Sequence, residues 1–153
     1  MLRSADKTRK VLIKLARKKD GLHLLHELKF KKSGVDPLDE KRPLNLIEQL
    51  NQMWTYLATF QAAADLLRRF PASTPLIMRL GTEKGPDICS QDDSIVAEVF
   101  AATDPRSNQK LSKDVAKVAG QNCEKKFVYY YSPKAHSSKD EKAGVTVIRL
   151  SKL

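Results

Sequence analysis

Two carboxylates could do chemistry together, one at the start of a strand and one inside an apolar run. Asp87 follows Gly85 and Pro86 and leads into Ile88, and Glu98 sits in the middle of the apolar run 95–101. Charging Glu98 inside a buried strand costs on the order of several kcal/mol unless a cation or a hydrogen-bond network compensates it. Magnesium is one such partner: it takes hard oxygen ligands, uses one or two protein carboxylates and fills its remaining positions with water and phosphate oxygens. If Asp87 and Glu98 lie on neighbouring antiparallel strands, their side chains converge at one end of a sheet. A metal held there would polarise a phosphodiester and lower the pKa of an attacking water. The structural alternative is that Asp87 caps the turn after Pro86 and Glu98 pairs with a base such as Arg79.

The elements that would position these residues follow from hydrophobic period and breakers. From 44 to about 69, Leu46, Ile47, Leu50, Trp54, Leu57, Ala58, Ala62 and Leu66 return on one face and predict the main core helix, ended by Pro71 and Pro75. Residues 76–80, Ile88 and its neighbours, and 95–103 read as three strands, the last two joined in hairpin fashion by the polar residues 90–94. Leu111, Val115 and Val118 recur at helical spacing before Gly120, and residues 127–131 and 145–150 read as two final strands. Helix, three strands, helix, two strands imply an α/β domain with a mixed sheet.

The segment Pro86-Asp87, the eleven residues from Asp87 to Glu98, and the helix on either side resemble the PD-(D/E)XK nuclease superfamily, with the resemblance spanning roughly residues 44–131. It implies a restriction-endonuclease-like mixed sheet flanked by helices and a metal-dependent DNA endonuclease of restriction or repair type, with Asp87 and Glu98 binding Mg2+ (or Mn2+). The family pattern has a lysine two residues after the glutamate, and this chain has Phe100 there. The resemblance then assigns the lysine's work, orienting water or stabilising charge on phosphate, to Lys110 at the start of the next helix, with Lys113 as second choice. The alternative for both lysines is an exposed helix position, with Asp114 adding ordinary surface charge. Glu48 in the long helix is a candidate third metal ligand, against an exposed helix glutamate, and Glu83 is a weaker one. Without a working lysine, the domain would be a non-catalytic nucleic-acid-binding or assembly module that keeps the nuclease fold.

Charge supports a polyanionic partner. Of the net +10, residues 1–32 carry +8, eleven Lys or Arg against Asp6, Asp20 and Glu27. Such a segment binds phosphates with an affinity that falls steeply with salt. The expected division is a basic helical arm 1–32, broken near Gly21, a linker 33–43 and a nuclease-like domain 44–153. Lys14, Arg17, Lys18 and Lys19 on the arm, with Arg106, Asn108 and Lys113 near the second helix, are the candidate DNA contacts, although Asn108 or Ser107 as a helix cap explains the same letters. The alternation of Phe127, Tyr129 and Tyr131 predicts a core-facing set rather than base-stacking rings. A homodimer is expected if both strands of a duplex are cut. The leucines of the arm also fit a subunit of a complex or a piece of a longer chain.

Other classes lack support. Cys89 and Cys123 are too few for a disulfide framework, and His23 and His26 alone do not make a zinc site. His136 reads as a loop residue. No phosphate-binding GxxxxGK[ST], GxGxxG or GxSxG motif is present, and no apolar run is long enough to span a membrane. A cytoplasmic or nucleoid-associated protein is expected. Ser151-Lys152-Leu153 spells a peroxisomal address only for a eukaryotic chain, and a final strand that simply stops is the simpler reading.

Overall fold

In the computed structural model, residues 1–18, 20–81, 83–133 and 138–153 are described, so that Lys19 and His136 lie outside the described residues, as does the side chain of Lys18. Two units are distinguished, Met1–Met53 and Trp54–Leu153.

In the first unit, α1 (Leu2–Lys18) and α2 (Gly21–Phe30) meet at Asp20, which caps α2 by accepting from the backbone N of His23 at 3.1 Å. The break expected at Gly21 is therefore a capped helix start. No side chain of α2 is buried, and Leu22, Leu25 and Phe30 are largely exposed, in keeping with leucines that a small core leaves uncovered. The segment expected as a linker is folded: β1 (Gly34–Val35) pairs antiparallel with β2 (Pro43–Leu44). Buried Asp36 closes the turn between them, accepting from the backbones of Leu38 and Asp39 and pairing with Arg42 at 3.2 Å.

A polar network ties α1 and β1 to the start of α3 (Leu46–Arg69). Gln49 is 2% exposed. Its Nε2 donates to Ser4 Oγ at 2.9 Å, and its Oε1 accepts from Thr8 Oγ1 at 2.7 Å and from Val35 N at 3.3 Å. Ser4 Oγ in turn donates to Val35 O at 3.1 Å. Glycine at position 34 leaves room for the amide, because a Cβ there would stand 2.1 Å from Gln49 Oε1 and would push it off its partners.

The second unit is built on a six-stranded mixed sheet. Its strands are β3 (Leu76–Met78), β4 (Ile88–Ser90), β5 (Ile95–Ala101), β6 (Lys125–Tyr131), β7 (Ser138–Lys142) and β8 (Val145–Leu150), in the order β3-β4-β5-β6-β8-β7. The first three form an antiparallel meander, β5 runs parallel to β6 and β6 to β8, and β7 returns antiparallel along the edge. Strand β7 corrects the expected count. Its sequence, SKDEK, has no apolar alternation and reads as loop; it is held by backbone pairing to β8, and charge suits an edge.

Each face of the sheet carries a helix. Ala58, Ala62, Ala63 and Leu66 of α3 pack on Ile88, Ile95, Ala97, Val99, Phe127, Tyr129, Ile148 and Leu150. The small alanines let the helix approach closely, and fully buried Tyr129 donates its hydroxyl to Asp65 at 2.8 Å. Asp65 also pairs with Arg68 and with Arg69; burial lifts its pKa, but the Tyr129, Arg69 and Arg68 bonds outweigh that and hold it low. On the other face α4 (Lys110–Ala119) covers Val96, Phe100, Val128, Tyr130, Val145 and Val147 through Leu111, Val115 and Val118. The three tyrosines thus divide as strand alternation requires, with Tyr129 under α3 and Tyr130 under α4. Among the described residues no helix is long and apolar enough to cross a membrane.

Candidate active site

Backbone register brings the two carboxylates together. Ile88 pairs with Ala97, so Asp87, one residue earlier, stands opposite Glu98, and opposed residues of an antiparallel pair share a face. That face is the one covered by α4, because Glu98 alternates with Val96 and Phe100 of the α4-side core.

Asp87 does not cap its own turn. Its Oδ2 accepts from the backbone N of Val99 on β5 at 2.7 Å, which fixes the carboxylate over the strand that carries Glu98. Arg79, the structural alternative for Glu98, is engaged elsewhere, donating to Cys89 Sγ at 3.1 Å and Pro86 O at 3.4 Å. Glu98 is 5% exposed and its Oε1 lies 2.6 Å from Lys117 Nζ, a close ion pair.

Asp114 corrects the sequence reading. Taken there as surface charge, it is 4% exposed. Its Oδ1 accepts from Lys110 Nζ at 2.8 Å, and its Oδ2 is buried without a hydrogen-bond partner among the described residues. The signal was present: Leu111, Asp114, Val115 and Val118 have the i, i+3, i+4, i+7 spacing of one helix face, so the acid interrupts the apolar stripe of α4 much as Glu98 interrupts β5. Lys117, not singled out from sequence, lies one turn on from Asp114.

The electrostatics follow from burial. Desolvation raises the pKa of Asp87, opposed by the Val99 N–H and by Lys117 and Lys110, with Asp114 adding to the rise. Desolvation also raises Glu98; Lys117 opposes it, and the charges of Asp87 and Asp114 reinforce it. For Lys117, partial burial pulls the pKa down, but Glu98 first and then Asp87 and Asp114 outweigh it and hold the ammonium firmly charged. Three acids and two lysines thus share one field on the α4 face.

The remaining candidates are less involved. Lys110 lies 5.5 Å over the Phe100 ring and pairs with Asp114, within electrostatic reach of Asp87. Lys113 is exposed. Glu48 is a cap residue: its backbone N donates to Asn45 Oδ1 at 2.8 Å while its Oε2 accepts from Asn45 N at 3.1 Å, a reciprocal capping box that occupies the carboxylate proposed for metal. Glu83 is exposed. Arg106 is bound to Asp104 through Nε and Nη2 at 3.2 and 3.3 Å. Asn108 and Gln109 take left-handed backbone, and α4 starts at Gln109 without a side-chain cap, so neither Ser107 nor Asn108 plays the capping role. Lys14 and Arg17 are exposed on α1.

Among the described residues no three His, Cys, Asp or Glu form a ready metal cage. The donor chemistry nevertheless fits a hard cation that needs few protein ligands, because two desolvated carboxylates face each other and Asp114 Oδ2 has no hydrogen-bond donor among the described residues. Comparison with protein-family models, curated proteins and solved structures finds no match to this chain.

Proposed function

We propose that this chain is a metal-dependent DNA endonuclease built on a restriction-endonuclease-like, PD-(D/E)XK fold. The observation that carries the reading is the facing pair Asp87 and Glu98 on adjacent antiparallel strands, both desolvated, beneath two lysines of the helix that follows. The sheet supports it as well, since a mixed sheet flanked by helices is what the resemblance implies.

Asp87 and Glu98 would hold the Mg2+ or Mn2+, which when bound supplies polarisation of the phosphodiester and an acidified water. The chain's own groups do the rest. The Val99 N–H holds Asp87 in place, and Lys117 neutralises Glu98. Lys110, exchanging Asp114 for a phosphate oxygen, stabilises the charge that develops there. Lys117 therefore joins Lys110 as a candidate for the lysine missing at position 100. The exposed basic residues of α1 bind the duplex, and cleavage of both strands would use a dimer.

A second reading is supported by Phe100, whose ring is 4% exposed and stacks 5.5 Å from that of Tyr130. A motif position absorbed into the core fits a non-catalytic DNA-binding or assembly module. Nicking of supercoiled plasmid with Mg2+ or Mn2+ separates the two, comparing wild type with Asp87→Ala, Glu98→Ala, Lys110→Met and Lys117→Met at equal DNA occupancy. Cleavage that the first two abolish while binding persists supports the enzyme. Binding without cleavage by wild type under either ion supports the module.

A further inference from the structure

Next to the carboxylates, at the ends of β5 and β6, lies a cavity of about 550 Å³ whose lining includes Tyr130, Arg106, Lys142, Arg149, Asp104 and Asp140. Its position is set by register. Phe100 pairs with Tyr130 and Tyr130 with Arg149, so the three stand in one row across β5, β6 and β8, one step along the α4 face from Glu98. Strand spacing and rise put the Cα atoms of Glu98 and Arg149 about 12 Å apart. The cavity therefore opens at the carboxyl ends of parallel strands, where open α/β sheets receive ligands.

Arg149 has no acidic partner among the described residues. It is half-buried, its Nε donates to Tyr130 Oη at 2.9 Å, and its guanidinium lies 5.6 Å over the Tyr130 ring. The stem and one edge of the fork are fixed, and the terminal nitrogens are left to serve a ligand. Of the other charges, Asp104 is taken by Arg106, while Asp140 and Lys142 offset each other. The net charge of the lining is thus that of Arg149. A pre-oriented guanidinium suits a phosphate, which it can bind through two parallel N–H donors.

We propose that Arg149 anchors a backbone phosphate of the nucleic-acid strand whose neighbouring phosphodiester lies at Asp87 and Glu98. This rests on the nuclease reading for the identity of the ligand. Arg149 is a positioning residue: it sets which phosphodiester reaches the carboxylates.

The test is binding of a short fluorescent duplex and its single strand to the full chain in EDTA across a KCl series. Wild type is compared with Arg149→Met, which keeps the stem on Tyr130, Arg149→Lys, which keeps the charge, and Lys152→Met as a surface control. Arg149→Met should weaken binding about five- to tenfold near physiological salt and flatten the slope of log affinity against log salt by about 0.7 to 0.9. Arg149→Lys should restore the slope, and Lys152→Met should change neither. Wild-type affinity and slope in Arg149→Met would overturn the proposal. So would an Arg149-dependent affinity for a free nucleoside monophosphate with duplex and strand binding unchanged. Plasmid cleavage by wild type in Mg2+ is scored separately: its absence alongside an intact Arg149 effect removes the nuclease reading and leaves the phosphate anchor, and cleavage with no Arg149 effect does the reverse.

Discussion

The Gln49 network of the first unit and the Glu98 cluster of the second both bury polar atoms, with opposite outcomes. Around Gln49 the groups are neutral, and the amide oxygen receives two donors while the amide nitrogen and Ser4 find acceptors. Around Glu98 the groups are ionisable, three acids face two lysines, and Asp114 Oδ2 goes without a hydrogen bond among the described residues. A satisfied network of neutral groups specifies a structure and has nothing left over for a ligand. An under-satisfied cluster of charges costs stability, and such clusters concentrate at binding and catalytic sites.

The largest expected effect is on chemistry. On the nuclease reading proposed above, Asp87→Ala or Glu98→Ala should lower plasmid cleavage by at least about a thousandfold with duplex binding retained, because each would remove a metal ligand and part of the field on the reacting phosphate. If either variant cuts within about tenfold of wild type, the cluster is structural like its counterpart.

The opposite result is expected for Gly34→Ala. Its methyl would displace Gln49 Oε1, so unfolding in urea should shift by about 2 to 3 kcal/mol, by the same amount at acid and at neutral pH, because no member of that network titrates.

A pH series then sharpens the contrast. Asp87 and Glu98 have folded pKa values above their unfolded ones, so just above the ordinary carboxylate range near pH 4 these two groups hold more protons in the folded chain than in the unfolded one. Their contribution to stability therefore falls as pH rises through that window. Without divalent metal, Glu98→Gln should flatten this part of the profile in thermal melts and melt no lower than wild type at neutral pH. Saturating Mg2+ should stabilise wild type more than the variant. A steeper pH dependence in the variant would contradict the assignment. Asp65 runs the other way: its pKa is depressed, so its contribution is present above the ordinary range and lost as pH falls.

The smallest effect belongs to Tyr129→Phe, about 1 kcal/mol in urea, since Asp65 keeps Arg68 and Arg69 when the hydroxyl is gone. A loss several times larger would mean that the α3 face also depends on a buried polar linkage.

What could be read from sequence was what burial writes into it. The 3.6-residue return of Ala58, Ala62 and Leu66 marked α3, the unbroken run around Glu98 marked β5, and an acid inside such a run marked the site. What backbone pairing or side-chain reach decides was not legible. Strand β7 has only charged and polar residues, Gly34 looked like loop punctuation until Gln49 was placed against it, and Glu48 was drawn into a cap by Asn45. Lys110 stands out in sequence only through the resemblance and Lys117 not at all; only the packing of α4 shows which acid each one meets.

Phe100 also constrains how this chain can change. Replacing it with the lysine of the motif would remove a ring from Tyr130 and bring a third ammonium to a crowded face where Lys110 already lies 5.5 Å from that ring. The substitution would lose packing and add repulsion before giving any catalytic benefit, unless Lys110 or Lys117 were lost at the same time. On the proposed nuclease reading, a motif lysine at position 100 and a lysine on α4 are therefore alternatives that compete for the same face, and the first could not simply be added to the second.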